Sequence, residues 1–229
     1  MSGSALIVGV GDGLSASLAR LLAAEGYALS LVARDIDKLE GLKSETGATL
    51  FRADGTDVDA MRAVVDSVED DLRVAIYNPS ARTRGPLVEL DPEDVRRALD
   101  VTAFGSFVTA QAAVRRMLRQ DAVDGVRGTV LFTGASAGVK GFPQSAPFAM
   151  GKFAQRGLAQ SMARELHPQG IHVAWVNIDG AIRNPGVAED EPASKLDPDA
   201  IARAYLALIG QDRSTWTSEL ELRPWVERF

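Results

Sequence analysis

The chain has 229 residues, 46% of them hydrophobic and 24% charged, a net charge of −6 and no cysteine. That length suits one α/β domain with a complete core, and the missing cysteines exclude disulfides, thiolate catalysis and cysteine-based zinc sites. The acidic balance argues against nucleic acid and anionic membranes as partners, because both attract basic surfaces. No apolar run approaches the roughly 18 residues of a membrane span. The start, Met1-Ser2-Gly3-Ser4, lacks the basic opening of a signal peptide, so a cytoplasmic location is expected. The only two histidines, His167 and His172, have no carboxylate at metal-ligand spacing and read as structural or surface residues, so no metal site is expected.

Short β-type runs alternate with helical patterns along the whole chain. Ala5-Leu6-Ile7-Val8 is a continuous apolar run ending at glycine, as a strand buried on both faces should be. Leu14 to Glu25 follows with Leu14, Leu18, Leu21 and Leu22 on one helical stripe, stopped by Gly26. Ala28 to Ala33 reads as the second strand, Asp37 to Thr46 as a short polar helix, Thr49 to Arg52 as the third strand and Asp57 to Val68 as a helix. Val74 to Tyr77 is the fourth strand, and Pro92 opens a long helix reaching about Arg119. Thr129 to Thr133 is the fifth strand, Pro147 to Leu166 a long helix, and Ile171 to Ile178 the sixth strand. Pro198 to Ile209 is a helix and Glu219 to Leu222 a last short strand.

Strict alternation of this kind predicts a single Rossmann-type doubly wound domain, a seven-stranded parallel sheet with helices on both faces. Ligands of such sheets bind beyond the carboxyl ends of the strands. That rule selects the loops after Val8, Ala33, Arg52, Tyr77, Thr133 and Ile178.

The first of these loops is Gly9-Val10-Gly11-Asp12-Gly13-Leu14. Glycines between an apolar strand and an amphipathic helix permit a tight turn and a close approach of backbone amides to a pyrophosphate. A merely structural turn is the alternative. Dinucleotide sites that prefer NAD usually place an acid at the end of the second strand, about 20 residues on. Here that place holds Ala33, followed by Arg34. An arginine offers a 2′-phosphate a bidentate partner, so NADP(H) is expected over NAD(H); otherwise Arg34 is a solvated surface residue. Asp12 counts against this, since an acid would repel a 2′-phosphate brought near it. Asp35 reads as a cap of the following helix.

The glycine loop, Asp54, Tyr77-Asn78-Pro79-Ser80, Gly151-Lys152-Phe153-Ala154, Ala163-Arg164-Glu165-Leu166, Gly170-Ile171-His172-Val173 and Asp179-Gly180-Ala181-Ile182-Arg183-Asn184 form a series. With that series the chain resembles the short-chain dehydrogenase/reductase family over nearly its whole length. The resemblance implies Asp54 near the adenine, Asn78 at the strand end beside the cofactor and Lys152 on the nicotinamide ribose. It implies Ile182 backbone on the carboxamide, and Asn184 in the place of a cofactor-bonding threonine.

Several residues depart from the family pattern. Its Tyr-x-x-x-Lys motif reads Phe148-Ala149-Met150-Gly151-Lys152 here, and phenylalanine has no hydroxyl to exchange a proton. The family's serine position falls on Ala135 with Ser136 one place off, and its helical asparagine falls on Thr102. Val8 and Ser15 replace a threonine and a glycine around the loop. Loss of a positioned general acid raises the barrier by roughly 3–5.5 kcal/mol.

Two functions follow as alternatives. One is an oxidoreductase acting on a small carbonyl or alcohol, with Ser136, Tyr77, Lys152 or a water as the substitute acid; Ser136 otherwise reads as a loop hydroxyl and Tyr77 as core. The other is a non-catalytic NADP(H)-binding sensor or partner protein. The segment from Gly180 to Pro198, with the acidic run Glu189-Asp190-Glu191, suggests a small lid. Phe104, Phe107, Val108, Ala112, Phe153, Leu158 and Met162 sit on the two long helices that family members pair with their symmetry mates, so a homodimer or homotetramer is expected by resemblance. Trp216, Trp225 and Phe229 read as a docked aromatic tail.

Overall fold

Side-chain alternation along the first strand decides the layering of the domain. The computed structural model describes residues 3–187 and 191–227; Glu189, Asp190 and Phe229, singled out above, lie outside them. In β1 (Ser4–Val8), Leu6 and Val8 enter one hydrophobic cluster and Ala5 and Ile7 the other. A strand feeding two cores is apolar at every position and needs helices on both faces. The remaining strands are β2 (Ala28–Ala33), β3 (Thr49–Arg52), β4 (Leu72–Tyr77), β5 (Gly128–Thr133), β6 (Ile171–Ile178) and β7 (Glu219–Leu222). All pairings are parallel, in the order β3-β2-β1-β4-β5-β6-β7.

Helices α1 (Leu14–Ala24), α2 (Glu40–Thr46) and α7 (Pro198–Ile209) close one face through Leu18, Leu22, Leu42 and Tyr205. Helices α3 (Val58–Asp66), α5 (Gly105–Leu118) and α6 (Ala146–Leu166) close the other through Met61, Val108, Met117 and Leu166. The expected doubly wound sheet is thus present. Asp57 precedes α3 rather than opening it, and its carboxylate accepts the amides of Asp59 and Ala60.

The long helix expected from Pro92 is not continuous. It runs as α4 (Pro92–Leu99), a wider π-type turn at Asp100–Phe104, and α5. The wider turn lets the Gly105 amide bond the Asp100 carbonyl. It also presents the Val101 carbonyl to the Tyr77 hydroxyl at 2.5 Å. Such turns are energetically poorer than α-helix and persist where tertiary contacts hold them. Here Tyr77, fully buried at the end of β4, is that contact.

The two histidines are structural. His172 is buried and stacks on Trp216 at 5.0 Å, with His167 edge-on at 5.7 Å. Of the C-terminal aromatics, Trp216 is docked by that stack, whereas Trp225 is 71% exposed and finds no cover on its own domain. No helix among the described residues is long and apolar enough to cross a membrane.

A Cβ on Gly105 would lie 2.1 Å from the Tyr77 hydroxyl and 3.2 Å from the Gly55 carbonyl. Gly105→Ala is therefore expected to lower stability by about 1–3 kcal/mol, the usual range for overpacking. Urea unfolding measures it, and an unchanged midpoint would contradict this packing.

Candidate active site

The strand order reverses between β1 and β4, because β2 and β3 extend to one side of β1 and β4 to β7 to the other. At such a switch point the connections diverge and leave a crevice at the carboxyl edge. The glycine loop sits on that crevice. Its first residues are tied to the sheet, with the Gly9 and Val10 amides bonding the Val32 carbonyl at 2.9 and 3.1 Å and the Asn78 amide bonding the Val8 carbonyl at 3.1 Å.

The three loop glycines do different work. Gly9 has φ +82°, and a Cβ there would stand 2.5 Å from the Pro79 ring, so this glycine is required by the protein's own packing. Gly11 and Gly13 have no protein atom within 4 Å of a would-be Cβ. No protein atom crowds these two places, which leaves the space in front of them for a ligand. The helix behind them is uncapped by any side chain and has no acid in its first turn. The Ala16 and Ser17 amides turn back to the Gly13 carbonyl at 3.0 and 3.3 Å. The Leu14 and Ser15 amides take no partner among the described residues, as an anion-binding helix end requires.

Two cavities flank the loop and share Gly9, Gly11 and Ser80. The larger, about 510 Å³, lies over β4, β5 and β6. Asp12, Gly13, Leu14, Asn78, Lys152 and Ile182 line it. The other, about 410 Å³, lies over β2 and β3, with Arg34, Asp35, Lys38 and Asp54 around it. The expected site residues thus divide into two halves joined across the loop. Asp12 does not line the cavity that holds Arg34, although its charge reaches Lys38 there.

Two expected residues stand apart. Asn184 lines a neighbouring hollow beside Arg20 and Arg183, not either of these cavities. Ser136 begins a short 3₁₀ turn, and it is Ala135 that lines the larger cavity. The chain's course through the strand end explains the latter: Gly134 bonds back to Val176, and the turn carries Ser136 past the rim. Asp35 pairs with Lys38 at 2.9 Å, and that cation holds its carboxyl below the usual range.

A hydrogen-bonded line runs under the larger cavity. The Ser15 hydroxyl donates to the Gly9 carbonyl at 3.0 Å, and the Asn78 amide donates to Ser15 at 2.7 Å. The Thr133 hydroxyl donates to the Asn78 side-chain oxygen and accepts from the Tyr205 hydroxyl at 2.8 Å. Ser15, a departure from the family glycine, is therefore a bracing residue. Neither Thr133 nor Tyr205 carries a sequence signal for this role, because only the sheet brings them to Asn78.

Lys152 is buried in α6. Its ammonium donates to the Thr133 carbonyl at 2.5 Å and to Gln155 at 3.2 Å, and Gln155 reaches Ser106 at 2.9 Å. Burial, with a smaller push from the Arg82 charge, lowers its pKa to about 7. Arg82, absent from the sequence expectations, lies over the Phe148 ring at 4.4 Å and lines the same cavity. Tyr77 lines the other cavity, and burial raises its phenol above the ordinary value. Ile182 forms a parallel bridge to Leu196 in which Ala181 and Arg183 make the hydrogen bonds. The amide and carbonyl of Ile182 itself are left without a partner among the described residues.

An unfolded chain keeps Lys152 protonated up to the ordinary lysine value of 10.5, whereas the folded site releases the proton near 7. Between those values the unfolded state binds more protons, so stability rises with pH. Lys152→Met removes this term. Between about pH 7.5 and 9.5 the wild type is expected to gain up to about 1.4 kcal/mol per pH unit relative to the variant, read from urea midpoints. Parallel pH profiles would contradict it.

Residues 4–178 match the family described as short chain dehydrogenase. The chain is 33% identical over 206 residues to a 3-dehydrosphinganine reductase of Arabidopsis thaliana, a match covering 87% of this chain and 62% of that protein. It is 27% identical over 220 residues to the sorbitol-6-phosphate 2-dehydrogenase of Escherichia coli, covering 90% of this chain and 83% of the relative. A short-chain dehydrogenase from Rhodopseudomonas palustris superimposes with a TM-score of 0.83 at 32% identity, covering 98% and 99% of the two chains. A metagenomic short-chain oxidoreductase in complex with NADP gives 0.83 at 25% identity, with 99% of each chain covered. The glycine loop, the switch-point crevice and the buried lysine occur in a chain whose sequence and fold both match these proteins: it is a member of the short-chain dehydrogenase/reductase family.

Proposed function

We propose that the protein is an NADP(H)-binding oxidoreductase acting on a small carbonyl or alcohol substrate, with an altered proton-transfer set. The observation that carries the reading is the pair Gly11 and Gly13, open to the crevice at an uncapped helix end between two cavities. A dinucleotide has two nucleoside halves joined by a pyrophosphate, and the crevice has that plan. Leu14 and Ser15 amides hold the phosphates, the cavity over β2 and β3 takes the adenosine beside Asp54, and the larger one takes the nicotinamide beside Ile182 and Lys152. The open backbone groups of Ile182 suit a carboxamide, which needs one donor and one acceptor. When bound, the coenzyme supplies the hydride chemistry, and the protein positions and protonates.

Arg34 favours the 2′-phosphate. It lines the adenosine-side cavity, forms no ion pair among the described residues, and has Lys38 beside it. Two solved relatives, the metagenomic oxidoreductase and an alcohol dehydrogenase from Thermococcus sibiricus, are complexed with NADP and 5-hydroxy-NADP respectively.

Of the acids weighed for the missing tyrosine, Lys152 has the best claim. Tyr77 faces the other cavity and Ser136 lies beyond the rim. Lys152 lines the larger cavity with a pKa of about 7, where a group gives and takes a proton with equal ease near neutrality. A second reading, a non-catalytic NADP(H)-binding sensor or partner protein, is favoured by Phe148, which lines the cavity where the family tyrosine would stand.

Titration of the purified protein with NADPH and NADH tests the core of the proposal. NADPH is expected to bind about tenfold or more tightly than NADH, the worth of a charge-assisted bidentate contact, with Arg34→Leu erasing the difference. No affinity for either coenzyme would sink the proposal. A carbonyl panel with NADPH then separates the two readings, since turnover removes the sensor.

Assembly as a homodimer or homotetramer belongs to the same proposal. Phe104, Phe107, Met150 and Phe153 are 44–50% exposed near the junction of α5 and α6, and Phe104 stacks on Phe107 at 6.4 Å. Contiguous exposed apolar side chains of this kind mark contact surfaces. Light scattering is expected to return a multiple of the 24.4 kDa chain mass; a strict monomer would refute the assembly.

A further inference from the structure

Arg82 is exposed at the cavity mouth, and no hydrogen bond or ion pair ties it to the described residues. Its fixed contact is the face of the Phe148 ring at 4.4 Å. A guanidinium lying on an aromatic face keeps its N–H groups pointing outward from its edge, where they remain free to donate. Arg82 lines the same cavity as Lys152.

The local charge is also out of balance. Arg84 stands close enough for its charge to lower the affinity of Arg82 for its proton, and Arg82 does the same to Lys152. Arg96 and Arg97, further along the chain, are each paired with a carboxylate, at Glu93 and Asp94. In the larger cavity the only acidic side chain among the described lining residues is Asp12, which belongs to the glycine loop. The protein as a whole carries −6, so this cationic mouth runs against its general character. Arg82 and, when protonated, Lys152 repel each other at this cavity, and an anion placed between them stabilises both.

Phe148 links this feature to the missing tyrosine. The ring keeps the aromatic platform at that position and forms an apolar patch with Ala135. An apolar wall topped by an unpaired guanidinium is a pocket for a molecule with one apolar side and one carboxylate.

Resting on the reading of the larger cavity as the substrate side of an oxidoreductase, we propose that Arg82 is the anion anchor of that site. The substrate then carries a carboxylate close to its reacting carbonyl or carbinol carbon. The planar fork of Arg82 matches the two carboxylate oxygens and orients the reacting carbon toward Lys152. The negative charge of the bound group also favours the protonated form of Lys152, so arrival of the substrate loads the proton.

Ligand-observed NMR titration with phenylglyoxylate and its neutral amide tests this on the NADPH-loaded protein. The coenzyme is titrated first by itself, so failure of the cofactor reading appears there and separately. With coenzyme bound, the carboxylate is expected to bind about tenfold more tightly than the amide. Arg82→Gln should reduce that preference below about twofold, and Arg82→Lys, which keeps the charge and loses the fork, should fall between. Equal binding of acid and amide by the wild type would overturn the proposal. So would a preference that survives in Arg82→Gln, or a matching loss of NADPH affinity in that variant, which would assign the arginine to the coenzyme.

Discussion

The polar line from the Gly9 carbonyl through Ser15, Asn78 and Thr133 to Tyr205 ties five elements of the fold together at the crevice. It joins the end of β1, the start of α1, the end of β4, the end of β5 and the middle of α7. Each link lies at or near the carboxyl edge, where the sheet ladder has ended and strand tips would otherwise fray. Buried hydrogen bonds of this kind add modest net stability each, but leaving one partner unpaired is costly, so the set holds together or not at all. With the tips so held, the glycine loop presents open amides toward the crevice.

A second consequence of burial is the state of Lys152. Desolvation penalises its charged form, and the Thr133 carbonyl and Gln155 only partly offset that cost. An ammonium on a solvated helix face would stay protonated throughout the physiological range and exchange protons poorly with a substrate. Buried beneath the cavity, it titrates near neutrality. The same burial that opposes the charged form thus brings the titration of Lys152 to about neutrality at the cavity.

Phe148 and Arg82 bring an aromatic face and a cation to the same cavity. A ring without a hydroxyl contributes no proton, yet it still offers a face, and Arg82 lies on it. The guanidinium is a polar group beside that ring, of a kind suited to negative charge.

The amino-acid sequence by itself determined the layering, because short apolar strands alternating with amphipathic helices admit few arrangements. It also determined the glycine loop, whose residues are consecutive and whose physics is local. The order of elements set Asp54, Asn78 and Ile182 in loops at the carboxyl edge, whereas Lys152 was singled out by the family resemblance. Tertiary structure alone decided the rest. The π-type turn at Asp100–Phe104 depends on Tyr77, more than twenty residues earlier in the chain. Thr133, Gln155 and Tyr205 became site-supporting residues only when the sheet and helices closed on one another. Ser136 fell outside the rim and Asn184 into a neighbouring hollow because a backbone path through a turn is set by what the turn packs against. Arg82 carried no signal in the sequence, and folding laid it on Phe148, 66 positions away. Contacts between residues distant in the chain leave no periodicity and no spacing, and for that reason they were invisible until the coordinates placed them side by side.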